Sequence, residues 1–301
     1  MAAEYREFEL YGGEVKVKFY PNSHMYKVTD EKHGLKDQRV KGVTTYLGVK
    51  DKPALVAWAT EMAGLHLYDI IQAGQIITMN DVRDAIKKHR EITDEAALIG
   101  SKMHEWCEYF IKHKLGEKGY EVPPTMPEDP QLCLGINSFL EWYMAHDVQF
   151  LSSERVVYSR KHQYIGTMDF DAYVDGVLTA GDFKSSNGLY NTVRAQLSAY
   201  IQAAEEEASH LKKPAKYENR MAVRLSKETE SEYTKRMERK NLIKGKEDAP
   251  IDPYVPFEWM KFDGRELHEY DLKEGFIHCK GLFEWDQKTD FFLNKPKPTK
   301  E

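Results

Sequence analysis

The chain has 301 residues, of which 41% are hydrophobic and 12% aromatic, enough for one large domain with a real core and attachments. Its net charge of −6 excludes a basic nucleic-acid coat, although local patches and bound cations can still steer an anionic substrate. Cys107, Cys133 and Cys279 are scattered and form no CxxC, which argues against a disulfide framework, a structural zinc site or an iron–sulfur cluster and for a reducing, intracellular setting.

Taken in order, Met1 to Leu10 carry three glutamates and no apolar stretch, so neither a secretory signal nor a transit peptide is expected. No run approaches the length of a membrane span, and a cytoplasmic protein of a bacterial or phage-infected cell is the expectation. Residues 8–20 alternate partly, as in Val15-Lys16-Val17-Lys18-Phe19-Tyr20, and Pro21-Asn22-Ser23 turns the chain into a second strand over 25–29. A helix is predicted from Pro53 to Ala73, with Leu55, Trp58, Ala59, Met62 and Leu65 at helical spacing and Gly74 closing it. A shorter helix over about 80–89, capped by Asn80, precedes a long one over 94–114. Pro123, Pro124, Pro127 and Pro130 make a loop before a helix over about 131–146. Three successive strands over 154–159, 164–174 and 177–184 follow, then a helix over about 190–207 and a strand over 219–225. A charged insert over about 226–250, helical near 227–241, leads to a strand over 255–262 and a helix over 266–286. The basic tail, 291–301, is expected to be disordered. The whole reads as α/β in the α+β sense: a hairpin and helical extension over 1–92, packed on a core over 93–290 ordered helix, three antiparallel strands, helix, strand.

The strands over 164–184 can be paired on paper. Asp175-Gly176 between two apolar runs signals a two-residue hairpin turn. Val174 then pairs with Val177, and Asp169 lands opposite Asp182. Cross-strand Cβ atoms lie about 4.5–5.5 Å apart, and like charges there destabilise the hairpin. Lys184 projects from the same face as Asp182. A divalent cation held by both aspartates, with the lysine beside it, resolves the repulsion and suits phosphodiester hydrolysis; an exposed hairpin with a salt bridge is the bland alternative. On this register Met168, Phe170, Ala172, Val174, Val177 and Phe183 form the core-facing side, and Asp171 shares the aspartate face as a rival ligand.

Two further motifs flank the hairpin. Gly100-Ser101-Lys102-Met103-His104 with Glu108 puts an imidazole and a carboxylate on one helix face, about 6 Å apart along the axis. Such a pair can ligand or orient a metal, or form an ordinary polar face. Gly100 costs a helix about 1 kcal/mol against alanine and leaves room for another backbone to approach. Downstream, Gln196 and Tyr200 lie one helical turn apart, where a buried tyrosine also serves as core.

In order, Gly100/His104/Glu108, Gly166/Asp169, Asp182/Lys184 and Gln196/Tyr200 match G-x-x-x-H-x-x-x-E, G-x-x-D, D-x-K and Q-x-x-x-Y. Residues 94–205 therefore resemble the PD-(D/E)XK nuclease superfamily in its RecB-like branch. Gly42-Val43-Thr44-Thr45 followed by Trp58 is similar, within that branch, to the mitochondrial genome maintenance exonucleases and their phage relatives. The cysteine-ligated cluster of the CRISPR-associated and AddB-type relatives is absent, as are helicase motifs.

The resemblance implies a restriction-endonuclease-like core and a stand-alone, metal-dependent DNA exonuclease for single-stranded or end-containing DNA in recombination, repair or replication. It implies that Asp169 and Asp182 share one or two Mg²⁺ or Mn²⁺ ions, that His104 completes the shell and tilts it toward Mn²⁺, and that the Phe183 carbonyl adds a ligand. Glu108 would stand behind these ligands or at a second ion, and no nucleotide cofactor is implied. Lys184 would orient or deprotonate the attacking water and neutralise the phosphorane, with Gln196 and Tyr200 positioning Lys184 or the DNA backbone. Ser185 and Ser186 are candidates for phosphate contact, against the alternative of a turn with exposed serines. Lys212, Lys213, Arg220, Arg224, Arg236, Arg239 and Lys240 are candidate backbone grips, though interleaved glutamates equally suit a solvated helix face. Tyr46, Trp58 and Tyr190 are candidate stacking platforms, with Trp58 also suited to a core. Two alternatives stand beside the exonuclease: a structure-specific or restriction-type endonuclease on the same core, and a catalytically silent DNA-binding protein.

Overall fold

Short turns set the N-terminal architecture. The computed structural model describes residues 4–50, 52–186, 188–213 and 215–293. Strands β1 (Arg6–Leu10), β2 (Val15–Tyr20), β3 (Met25–Asp30) and β4 (Leu35–Val40) form a four-stranded antiparallel sheet in sequence order. Where the alternation of residues 8–20 suggests one strand, the chain reverses at Tyr11–Gly13, with Gly12 and Gly13 at φ of 69° and 91°. β4 has no alternation to read: only its end residues, Leu35 and Val40, are buried.

After α1 (Val43–Leu47) and α2 (Pro53–Gln72) comes α3 (Met79–Leu115), one helix of 37 residues where composition suggests two. Its cap is Thr78, not Asn80. The Thr78 hydroxyl accepts from the Asp81 N–H, and the Asp81 carboxylate accepts the Thr78 N–H at 2.7 Å. Between the two predicted pieces no glycine or proline intervenes, and the Thr93 hydroxyl folds back onto the His89 carbonyl instead of breaking the helix. α4 (Pro130–Ala145) starts on an Asp129 cap, with Pro130 in the first turn, where its missing N–H costs nothing.

The second sheet has five strands in sequence order: β5 (Val148–Ser159), β6 (Tyr164–Val174), β7 (Val177–Lys184), β8 (Asn219–Leu225) and β9 (Phe257–Asp263). α5 (Thr192–His210) crosses over between β7 and β8, which are parallel; the other pairs are antiparallel. α6 (Glu230–Ile243) lies in the charged insert. The predicted C-terminal helix is a helical run, α7 (Arg265–Tyr270), a π-helical stretch Asp271–Ile277 and α8 (His278–Leu293). Residues 291–293 thus belong to a helix rather than to a disordered tail, and 294–301 lie outside the described residues.

Three cores hold these layers. α5, Leu272 and Phe276 cover Val157, Met168, Ala180 and Ala222 on one side of the sheet. α3 and α4 bring Met103, Ile111, Phe139 and Trp142 against Phe170, Ala172, Phe183 and Val223. The N-terminal sheet closes over Val156, Tyr158 and Ile165. Fully burying one such aliphatic or aromatic side chain stabilises the fold by about 1.5–3 kcal/mol. Among the described residues no helix is long and apolar enough to cross a membrane.

Candidate metal centre

The hairpin follows the two-residue turn. Asp175 and Gly176 have φ of 51° and 80°, and the ladder runs from Val174–Val177 to Phe170–Gly181, one step short of Asp169 and Asp182. His146 Nδ1 at 2.8 Å and the Asp147 N–H at 3.0 Å bind the Asp175 carboxylate and fix the turn. At the other end, the Phe183 N–H donates to Asp169 Oδ2 at 2.6 Å.

The expected single core-facing side does not hold. Met168 joins the core under α5, whereas Phe170, Ala172, Val174 and Phe183 join the core under α3 and α4. Residues two apart on a regular strand share a face, so β6 loses its alternation at Asp169. Across the ladder, Ser153 pairs with Phe170 and Arg155 with Met168, which brackets Glu154 opposite Asp169. Glu154 has φ of 49°, a left-handed conformation that is rare outside glycine. Two irregular positions therefore face each other midway along the pairing of edge strand β5 with β6, and their carboxyl groups gather with α3: single ligand atoms of His104, Glu154 and Asp169 all lie within 4.8 Å of one another. His104 Nδ1 is 3.4 Å from Asp169 Oδ2.

α3 meets the sheet along one four-residue-spaced line. A Cβ at Gly100 would sit 2.6 Å from the Ser185 hydroxyl, so the glycine admits the residue just past β7. One turn on is His104; one turn further is Glu108, whose carboxylate pairs with Lys112 at 2.6 Å and lines a cavity of about 410 Å³ with Arg6, Glu105, Tyr109 and Tyr120. Glu108 is thus beside the cluster and not within it.

α5 supplies the second set. Gln196 Nε2 donates to Asp182 Oδ1 at 3.0 Å and lies 2.9 Å from the Tyr200 hydroxyl, while Gln196 Oε1 accepts from Lys184 Nζ at 3.3 Å. The Lys184 ammonium also pairs with Asp182 Oδ2. Gly166 is required here, because any Cβ at that position would collide with the Tyr200 ring. Asp182 is held by Lys184 and Gln196, outside the His104–Glu154–Asp169 triad.

The charges are out of balance. Burial, then the charges of Asp169 and Glu108, push Glu154 up to about 9. Burial, then Asp182, push Asp169 up to about 6. Burial works against the charge of Lys184, but Asp182 and Asp169 outweigh it and hold its pKa above the ordinary value. Three carboxyl groups thus gather around one firm cation. An imidazole with oxygen donors, short of positive charge, fits a divalent ion such as Mg²⁺ or Mn²⁺.

Other candidates lie elsewhere. Asp171, the rival ligand, accepts from Ser152, from Arg155 at 3.1 Å and from Tyr217 at 2.7 Å, and is spent in the core. Arg220 is 1% exposed and bound to Asp271 at 2.7 Å; Arg224 is buried against Glu258 at 3.0 Å. Neither offers a surface to DNA. Arg236 is paired with Glu228, Arg239 with Asp69, and Lys240 lies 3.7 Å from Glu61, so α6 spends these cations on its own loop and on α2. The Ser186 hydroxyl donates to the Gly188 carbonyl. Tyr46 is a core residue, Trp58 is half-buried and Tyr190 is exposed. Phe183 has its ring against Phe139, Trp142 and Phe170.

Glu154 is the residue the sequence motifs miss. It stands at the predicted first residue of a strand, where a glutamate draws no notice, and its left-handed backbone has no signature outside Gly, Asn and Asp. No protein-family model matches the chain.

Proposed function

We propose that this protein is a metal-dependent deoxyribonuclease with a PD-(D/E)XK-type core, and that it removes nucleotides from DNA ends, single strands favoured. The observation that carries the reading is the convergence of His104, Glu154 and Asp169 within 4.8 Å, next to the Lys184–Asp182 pair. These groups come from four separate segments, α3, β5, β6 and β7, in the order of the sequence motifs plus one addition.

His104, Glu154 and Asp169 would hold the cation, with Asp182 alongside. When bound, Mg²⁺ or Mn²⁺ supplies a nucleophilic water and polarises the scissile phosphate. The rest falls to the chain. Lys184 stays protonated between two aspartates, which suits it to neutralise charge on the phosphorane oxygens rather than to act as the base. Gln196 bonds both Asp182 and Lys184, so one amide keeps ligand side and phosphate side in register. The Phe183 N–H orients Asp169.

Incubation of end-labelled DNA with Mn²⁺ or Mg²⁺ tests the reading, using 5′ and 3′ labels in one time course. Lys184→Ala and Asp182→Ala are expected to abolish degradation with the fold intact. Full activity in excess EDTA, or in Asp182→Ala, sinks the proposal. Circular single-stranded DNA separates the readings on this core: an end-dependent enzyme leaves it whole, and an endonuclease cuts it.

A further inference from the structure

Lys227 is a half-buried ammonium at the same end of the sheet as the metal centre, in direct ion pair with no carboxylate among the described residues, although the charge of Glu228 beside it acts on it through space. It follows β8 by two residues, and β8 runs parallel to β7 with Arg224 beside Lys184. Its Nζ reaches the Ala96 carbonyl of α3 at 3.5 Å, a long bond to an acceptor already inside a helix. Neighbouring Glu228 is taken by Arg236 through two bonds, at 2.6 and 2.9 Å. Burial pulls the Lys227 pKa below its ordinary value. An ammonium has three donors, and the Ala96 carbonyl uses one.

Its position is set by α3. Ala96, Gly100, His104 and Glu108 lie four residues apart on one face, and Lys227, Ser185 and Asp169 meet the first three in turn. Eight residues of helix put Ala96 about 12 Å from His104. That is roughly two nucleotides of an extended strand.

We propose that Lys227, with the Ser185 hydroxyl between it and the metal ligands, binds the phosphate backbone of the strand that enters the site, a couple of nucleotides from the scissile phosphate. This assignment rests on the nuclease reading. A lysine acts there as a point charge on phosphate and carries no base preference.

The test is binding of a fluorescein-labelled oligo(dT) 12-mer in Ca²⁺, with KCl titrated, alongside cleavage of the same strand in Mn²⁺. Lys227→Met is expected to weaken binding about three- to tenfold and to reduce the salt slope by about 0.7, the value of one phosphate on a single strand. Its KM rises, its kcat stays, and Lys227→Arg retains the wild-type slope. A Lys227→Met protein with wild-type affinity and slope, or with a lowered melting temperature as its sole change, overturns the assignment. The two failures are distinct. Wild-type protein that neither binds nor cuts DNA removes the nuclease reading and this assignment with it. Wild-type protein that cuts while Lys227→Met is unaltered removes Lys227 alone.

Discussion

Glu154 concentrates the chemistry in one residue. A non-glycine residue held at positive φ costs about 1–3 kcal/mol and persists only where its surroundings fix it. Here the return is a carboxylate placed beside Asp169 and His104. Without a cation that placement is a liability. Folding raises Glu154 from 4.5 to about 9 and Asp169 from 3.8 to about 6, so the folded state binds more protons than the unfolded one. The resulting stability is full below the unfolded values and is lost as pH rises through the folded ones. The metal-free melting temperature should therefore fall steadily between about pH 4.5 and pH 9. Glu154→Gln should flatten that slope, and Mn²⁺ should restore the wild-type protein most at the alkaline end, where protons no longer compete. Thermal melts in EDTA and in Mn²⁺ across this range check all three. A flat wild-type profile in EDTA would show that burial and mutual repulsion do not raise these two carboxyl groups.

At the scale of elements, the site is the crossing of α3 with the hairpin, and the two differ in how far the sequence discloses them. The register of the hairpin is legible because Asp175-Gly176 dictates a turn type, and that turn fixes the pairs as far as Phe170–Gly181. The loss of alternation at Asp169 is not legible, since it comes from the α3–α4 and α5 cores each claiming part of β6. The length of α3 is similarly hidden. Both predicted pieces are helical, but continuity depends on what is absent between them. The role of Gly100 is half legible: a glycine mid-helix signals a close approach, but what approaches is the Ser185 side chain and not the expected backbone. A double-mutant cycle can test that contact. Gly100→Ala gains about 1 kcal/mol of helix propensity, but its methyl group meets the Ser185 hydroxyl at 2.6 Å. The single variant should show little or none of the gain, and Gly100→Ala with Ser185→Ala should recover it. Urea denaturation of the four proteins gives the coupling. Additive single-site effects would mean that Ser185 does not press on α3.

For the whole molecule, the question is how an acidic protein spends its cations. Of the basic residues that composition offers as DNA grips, Arg220 and Arg224 are buried in ion pairs, Arg236, Arg239 and Lys240 pair at the surface, and Lys212 and Lys213 stay exposed; the sequence discloses little of this because most of the partners lie far along the chain. Arg220 is the extreme case. Asp271, at the start of the π-helical stretch, accepts Arg220 at 2.7 Å and Arg194 at 2.8 Å, tying β8, α5 and the C-terminal helical run into one knot. Removing one partner of a buried pair leaves an uncompensated charge and costs about 3–5 kcal/mol; loss of Asp271 orphans both arginines, whereas loss of Arg220 leaves Asp271 paired with Arg194. Asp271→Ala should therefore destabilise the protein severely. Arg220→Met should be milder, and should leave the salt slope of oligo(dT) binding at its wild-type value. Chemical denaturation and salt-titrated binding on the same two variants decide the matter. A reduced slope in Arg220→Met would return Arg220 to the DNA surface, and would mean that the buried pair opens when the strand arrives.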